Sequence, residues 1–398
     1  MKFIDFFAGI GGFRRGMELA GHECVGFCEF DKFATASYIS MHLLTEEQRK
    51  TLEDIPIKKR QKEILKEEYR NGEWYANDIR RVYDGDIPKA DCWCFGFPCQ
   101  DISVAGKQAG FQGNRSSLFF RVMYLVGQLE EEDRPSYLFI ENVKNLLSVN
   151  GGWDFARLLI EMDRQGYDAE WQVLNSKDFG VPQNRERCYI IGHLRGRSTS
   201  KVFPIEGTDG ENNISIDECK ANIKPPCFVD LCYEKTQTTD IARCLKARYY
   251  KGIANHAGQD SGVAIPVLTP DRTEKRQNGR HFKENGEPMF TLTGQDRHGI
   301  AIEVKEATKQ DTSCNQGIFV QVSEELTVYA VWYEKYQCYI AIRKLTPKEC
   351  FRLQGWPDDY FEKAQFVNSD SQLYKQAGNG VTVTVIEAMA RKMNVNPN

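Results

Sequence analysis

Apolar positions in the first half of the chain fall into short runs, each closed by glycines or by charged residues. Phe3 to Phe7 is a β-type run; Gly9, Gly11 and Gly12 close it, and Phe13 to Leu19 then follows a helical apolar period. Cys24 to Cys28 is a second apolar run, and Cys92 to Phe95 another, ending at the turn Gly96-Phe97-Pro98. Leu118 to Leu129 reads as helix, Tyr137 to Ile140 as a buried strand ending in Glu141-Asn142-Val143, and Trp153 to Asp163 as helix. Glu170 to Leu174 and Cys188 to Gly192 read as strands, so strands and helices alternate and predict a parallel, doubly wound α/β sheet.

Two stretches depart from this rhythm. Thr45 to Trp74 is dense in Lys, Glu and Arg, and predicts a charged helical insertion over residues 45–76. From about Gly196 to Ile342 the chain shows short β runs, many turns and little helix. Helical grammar resumes with Lys348 to Leu353, where Thr346 suits an N-cap and Pro347 the first helical position. Tyr374 to Gly380 reads as a polar, glycine-marked turn, and Val381 to Met393 as a last helix returning to the first domain.

The 398 residues suffice for two domains, and a net charge of -4 with 27% charged residues is ordinary for a soluble globular protein. Any nucleic-acid surface must therefore be local. One such region exists: residues 241–300 hold ten Lys and Arg against six acids, with His256, His281 and His298 among them. Within it Leu245 precedes Gly252-Ile253-Ala254 by seven residues, and Leu292 precedes Gly299-Ile300-Ala301 by seven. The echo predicts two similar strand-loop units able to present side chains to a groove, or a duplicated hairpin of structural meaning alone. Thirteen cysteines without a secretory pattern predict reduced thiols and a cytoplasmic location. The spacing of Cys219, Cys227, Cys232 and Cys244 lacks a Cys-x2-Cys pair and predicts no metal site. No run of 18 apolar residues predicts a membrane span.

Candidate chemistry sits at the ends of the runs. A strand, a glycine loop and a helix form the grammar of a nucleotide-type cofactor site. Glu29, at the end of the second run, suits a two-pronged grip on ribose hydroxyls, with Asp31 as the alternative acid. Cys99 follows a strand-to-loop turn, where a stabilised thiolate can act as nucleophile. Cys92 and Cys94, inside the apolar run, read as small buried hydrophobes. Arg185 and Arg187 lie two apart and would share one face of an extended segment.

Phe6-Phe7-Ala8-Gly9-Ile10-Gly11-Gly12, Gly96-Phe97-Pro98-Cys99-Gln100, Glu141-Asn142-Val143, Gln183-Asn184-Arg185-Glu186-Arg187, Arg343-Lys344-Leu345-Thr346-Pro347 and Gly378-Asn379-Gly380-Val381 follow one another in the order used by C5-cytosine DNA methyltransferases. The chain resembles that family, in its bacterial and phage form, over about residues 1–195 and 343–393. The resemblance implies a doubly wound, Rossmann-like S-adenosylmethionine-dependent methyltransferase core with a smaller, mostly β target-recognition domain. Residues 1–195, completed by 374–398, would be catalytic, and residues 196–373 would form the recognition domain and hinge.

The same resemblance implies the roles. Cys99 attacks cytosine C6, Glu141 hydrogen-bonds N3, and Arg185 and Arg187 stabilise charge. The cofactor pocket would comprise Phe7, Gly9, Ile10, Gly11, Gly12, Glu29, Phe30, Asp78, Ile79, Pro98, Leu118, Asn379, Gly380 and Val381. Asp78 is preferred to Asp86 because the family places an Asp-Ile pair 21 residues before the nucleophile, and 99 minus 78 is 21. Gly380 stands where the family often has Ser, which is tolerable if only the backbone is used. The substrate would be double-stranded DNA with a flipped-out cytosine, and the glycine-rich stretch from Gln100 to Ser117 a lid. Gln100, Ser103, Arg115, Arg248 and Arg297 are the DNA-contact candidates. The enzyme would be a monomer, with a cognate restriction endonuclease allowed but no contact with it implied. An RNA cytosine-5 methyltransferase and a nicotinamide-dependent oxidoreductase are the competing readings; the second leaves Cys99, Glu141 and Arg187 unexplained.

Overall fold

The structure is a computed structural model that describes residues 1–97, 117–207 and 345–394, with the backbone of eight strands between residues 228 and 343. In chain order the first part gives β1 (Lys2–Phe6), α1 (Gly12–Leu19), β2 (Glu23–Cys28), α2 (Lys32–Tyr38), α3 (Glu46–Glu53), α4 (Ile57–Glu63), β3 (Trp74–Ala76) and β4 (Cys92–Phe95). It continues with α5 (Ser117–Gln128), β5 (Tyr137–Val143), α6 (Trp153–Arg164), β6 (Tyr167–Asn175), β7 (Gln183–Asn184) and β8 (Glu186–Leu194). A seven-stranded sheet has the order β3-β2-β1-β4-β5-β8-β6.

Its central strands are apolar on both faces because helices cover both. Phe3, Cys92, Cys94, Tyr137 and Phe139 point to one side, against Phe13 and Met17 of α1. Ile4, Phe6, Trp93, Phe95, Leu138 and Ile140 alternate to the other, against Val122, Met123 and Val126 of α5 and Leu158 and Met162 of α6. Cys92 and Cys94 are fully buried, as the apolar run predicts.

The sheet is not wholly parallel. The pairings β1–β2, β1–β4, β2–β3 and β4–β5 are parallel, but β8 runs antiparallel between β5 and β6. A parallel return needs a crossover of about a dozen residues or more, usually a helix. Between β6 and β8 lie only a short turn, Ser176–Phe179, and the two-residue β7, so the chain folds straight back.

The charged stretch forms α3 and α4, and α4 buries no side chain. Leu52, Ile64 and Tyr69 nonetheless join Phe27, Tyr38 and Val367 in one apolar cluster. Arg60 fastens the segment to the C-terminal part, donating to the carbonyls of Leu52, Ile55, Glu53 and Phe366. The core sheet resumes at Trp74 with β3.

In the middle, β9 (Phe228–Asp230), β10 (Gln237–Thr239), β11 (Ala242–Arg243), β12 (Ser261–Val263), β13 (Ile300–Glu303), β14 (Ile318–Ser323), β15 (Leu326–Tyr333) and β16 (Cys338–Arg343) are described. They form antiparallel sheets β10-β9-β12 and β13-β16-β15-β14, while β11 pairs in parallel with β7. Leu245, Gly252-Ile253-Ala254, Leu292, Gly299, the three histidines and Cys219, Cys227, Cys232 and Cys244 lie outside the described residues.

The C-terminal part forms α7 (Pro347–Arg352), α8 (Asp358–Gln365), α9 (Asp370–Asn379) and α10 (Val383–Ala390). Thr346 caps α7 in a reciprocal box with Glu349, and Pro347 opens the helix as expected. The turn expected over Tyr374 to Gly380 is instead the last part of α9. Gln376 is inside: it accepts from Ser37 Oγ at 2.9 Å and donates to the Phe33 carbonyl at 2.9 Å. Burial of Leu373, Tyr374 and Ala377 supplies the apolar face that the polar composition hides. α10 packs on α1: a Cβ on Gly16 would lie 2.6 Å from Ile386, so only glycine allows this approach.

Candidate active site

The C-terminal ends of β1, β2 and β3 build the first half of the site. Phe7 leaves β1 with φ of 54°, a strained value for a bulky side chain, and Gly9 and Gly11 follow at 57° and 84°. This left-handed path bends the loop back, with the Gly11 amide bonded to the Ala8 carbonyl at 2.8 Å. A Cβ on Gly12 would lie 2.6 Å from Val381, so the loop and the residue after α9 meet where no side chain fits.

Glu29 follows β2 and accepts from the amides of Gly9 at 2.8 Å and Asp31 at 2.6 Å. Burial outweighs those bonds and pushes its carboxyl up to about 7. Asp31, the alternative acid, caps α2 through the Phe33 amide and pairs with Lys375. Phe30 is 73% exposed beside Glu29, with the Arg80 guanidinium 5.8 Å from its ring.

Asp78 is buried after β3, and Arg80 holds it through its side chain (2.8–3.2 Å) and its amide (3.0 Å), which lowers its pKa. Ile79 is buried in the core below it. Asp86 belongs to an exposed turn, Asp84–Asp86, and not to a strand end. Leu118 packs half-buried on the core, and Ile10 is buried.

The second half comes from β4, β5, β8 and the C-terminal part. Glu141 lies on β5 and pairs with Arg187 of β8, Nε to Oε1 at 2.9 Å, both side chains mostly buried. Gly96 lies against the same carboxylate, for a Cβ there would be 3.2 Å from Oε2. Asn142, almost fully buried, donates to the Phe97 carbonyl at 3.3 Å and accepts from the Val143 amide at 2.9 Å. It thus ties the segment leading out of β4 to β5.

Arg185 precedes β8, is buried, and donates to the Gly380 carbonyl at 2.7 Å, whereas Arg187 faces Glu141. Asn379 is exposed at the end of α9. Gly380 has φ of -69°, open to any residue, and its carbonyl is what Arg185 uses.

Sequence reasoning passed over a set of buried polar side chains that join the halves. Gln183 donates to the Leu353 carbonyl at 2.5 Å, Gln354 to the Ala377 carbonyl at 2.7 Å, and Thr382 to Gln354 at 2.9 Å. Ser176 and Thr382 share a bond of 2.8 Å. Gln183 belongs to a motif quoted above, but nothing local marks its partners or the other three residues as a bridge, because the partners are distant in sequence. Pro98, Cys99, Gln100, Ser103, Arg115, Arg248 and Arg297 lie outside the described residues. Six described cysteines are free thiols. Among the described residues no His, Cys, Asp and Glu cluster suits a metal, and no helix is long and apolar enough to cross a membrane.

The first half suits a nucleoside-bearing cofactor. Glu29 and Asp78 are acceptors for hydroxyl and amine groups, Phe30 offers an aromatic face, and a Cβ on Gly9 would project into open space.

The C-5 cytosine-specific DNA methylase family matches residues 1–66 and 54–395. Orphan methyltransferase M.SPBetaI of Bacillus phage SPbeta is 30% identical over 99% of this chain and 97% of its own. Type II methyltransferase M.HhaI of Haemophilus parahaemolyticus is 29% identical over 98% of this chain and 93% of its own. The solved Entamoeba histolytica methyltransferase EhMeth has a TM-score of 0.56 at 17% identity, covering 98% of this chain and 96% of its own, and shares the fold. The family match and the phage and bacterial relatives set aside the RNA and nicotinamide readings. The family match reaches from residue 1 to residue 395 and so covers both halves of the site: the chain belongs to the C-5 cytosine-specific DNA methylases, and is a DNA (cytosine-5-)-methyltransferase that uses S-adenosyl-L-methionine.

Proposed function

We propose that methyl transfer in this enzyme proceeds through a covalent bond between Cys99 and C6 of a cytosine flipped out of a specific duplex site. The observation that carries the reading is the junction of Gly96, Phe97, Glu141, Asn142 and Arg187. The segment leading to Cys99 is tied by Asn142 to the strand that bears Glu141, and Glu141 is ion-paired and beside Gly96. Cytosine C5 is a poor nucleophile. When the Cys99 sulfur adds its electron pair to C6, the C5–C6 π pair shifts to C5, which can then bond to an electrophilic methyl. Glu141 would act as an acid, giving a proton to N3 in their hydrogen bond as negative charge develops on the ring and taking it back when Cys99 leaves, and Arg187 would keep Glu141 oriented. A base then removes the C5 proton; the C5–H pair re-forms the double bond, and the C6–S bond breaks to release Cys99.

S-adenosylmethionine would supply the electrophilic methyl, its sulfonium–methyl bond breaking as C5 bonds and the neutral thioether S-adenosylhomocysteine leaving. Glu29 would hold the ribose, Phe30 the adenine face and Asp78 an amine. Phe7, Gly9, Ile10, Gly11, Gly12, Ile79, Pro98, Leu118, Asn379, Gly380 and Val381 would complete the pocket. Residues 1–195 with 374–398 would form the catalytic domain, and residues 196–373 would read the DNA site, with Arg248 and Arg297 as guanine readers. Gln100, Ser103 and Arg115 would meet the DNA near the flipped base. The enzyme would act as a monomer in the cytoplasm. A cognate endonuclease, where one exists, would share its site without touching it.

The test is Cys99→Ser, read by bisulfite sequencing of DNA from expressing cells and by a denaturation-stable complex on duplexes holding 5-fluorocytosine, which has no C5 proton to lose. Both signals should vanish while DNA binding persists. Turnover above about a tenth of wild type would overturn the assignment, because an essential nucleophile is worth orders of magnitude.

A further inference from the structure

α2 does not end as an α-helix. It passes into a π-type turn, Ile39–Leu43, in which the Leu44 amide bonds to the Ile39 carbonyl at 3.0 Å. Such insertions are rare and frequently mark functional positions. Here the turn carries His42 to the underside of the glycine loop, where His42 Nε2 lies 3.0 Å from the carbonyl oxygen of Ile10. A carbonyl only accepts, so Nε2 carries the proton.

Other observations agree. His42 Nδ1 is buried and has no partner among the described residues, a tolerable state for a lone pair and a costly one for an N–H. A Cβ on Gly11 would lie 2.4 Å from Nε2, so the loop is shaped around this ring. Tyr38, Tyr360 and Trp356 surround it, with centroids at 4.9, 5.5 and 6.0 Å, and fix its plane. Burial holds the imidazole well below its usual range, and the charges of Arg14, Arg15 and Lys363 act in the same direction, so the ring is neutral.

We propose that His42 is a positioning residue for S-adenosylmethionine: its Nε2–H grips the Ile10 carbonyl and holds the Gly9–Gly12 loop in its left-handed path. His42 touches neither reactant in this scheme. It acts through the loop, and the proposal rests on the reading that the loop lines the cofactor pocket.

The experiment measures S-adenosylmethionine binding by calorimetry, and steady-state kinetics, for the full chain and three variants. His42→Leu removes the donor. His42→Gln keeps an Nε2–H donor of similar reach. Glu29→Ala tests the pocket itself. His42→Leu should weaken cofactor binding about five- to tenfold, the worth of one hydrogen bond, with kcat and the KM for DNA unchanged. His42→Gln should restore binding to within about threefold of wild type on the same scale. Equal losses in both His42 variants would show that ring packing alone matters and would overturn the proposal. If Glu29→Ala weakens binding and His42→Leu does not, the His42 role fails while the pocket stands. If neither does, the pocket reading fails first. Nitrogen NMR of the wild-type imidazole is independent of how the variants fold: a neutral ring protonated on Nε2 is expected, and a proton on Nδ1 would overturn the assignment.

Discussion

Glu29 and Glu141 are both carboxylates at the C-terminal side of parallel strands, and the protein treats them differently. Among the described residues Glu29 is met by two backbone amides and no cation, so burial dominates and its carboxyl rises to about 7. Glu141 is met by the Arg187 guanidinium from the antiparallel strand β8. The cofactor side is thus built from backbone donors, and the base side from a charge pair assembled across the sheet. A carboxyl held by amides can take up neutral hydroxyls without breaking an ion pair, whereas one locked by a guanidinium keeps its orientation while charge develops beside it.

The largest test of this contrast is Arg187→Ala. It should lower single-turnover methyl transfer by about 100- to 1000-fold, the range for loss of one preorganised charge-stabilising donor. Cofactor affinity should stay within about threefold, less than one hydrogen bond's worth. If affinity falls as much as rate, the two halves are not separable.

A pH series sharpens the Glu29 side. Its folded carboxyl lies at about 7 against an ordinary 4.5. A raised folded value means that the native state binds the extra proton, so the stability it lends is complete below pH 4.5 and is lost as the pH rises to about 7. Urea unfolding of cofactor-free wild type should therefore lose on the order of 3 kcal/mol relative to Glu29→Ala between pH 4.5 and 8. A flat difference would mean that the carboxyl is solvated. Calorimetry should also show cofactor affinity rising through pH 7 in wild type only.

Gly16→Ala probes what both halves share, the docking of α10 on α1. The added methyl meets Ile386 and the Glu387 amide at 2.6 and 2.9 Å, so unfolding free energy should fall by about 1–3 kcal/mol, as overpacking costs. The smallest expected effect is Gly380→Ser. Its φ of -69° suits serine, and its carbonyl still serves Arg185, so stability should change by less than about 1 kcal/mol and turnover by less than threefold. A large loss would show that the missing side chain, and not the backbone, matters at that turn.

Short-range signals read correctly where the structure depends on neighbours. The β1–loop–α1 grammar, the strand-end position of Glu29, the buried Cys92 and Cys94 and the cap at Thr346 were all legible, because each is set within a few residues. α9 was missed because Gln376 and Gly378 look solvent-facing until Ser37 and Phe33 are brought beside them.

By itself, then, the chain's order of residues determined the alternating α/β core, the glycine loop, the β character of the middle and the motifs that announce a cytosine methyltransferase. These follow from local backbone preference and from apolar spacing, which act along the chain. Tertiary structure decided that β8 runs antiparallel between β5 and β6, and so that Arg187 meets Glu141. It also decided that Arg185 reaches Gly380, and that His42 lies under the Ile10 carbonyl. An alternating apolar pattern is compatible with either strand direction, and a polar side chain carries no mark of which distant carbonyl it will find. Those choices are made only when the sheet closes and burial forces each polar group to find a partner.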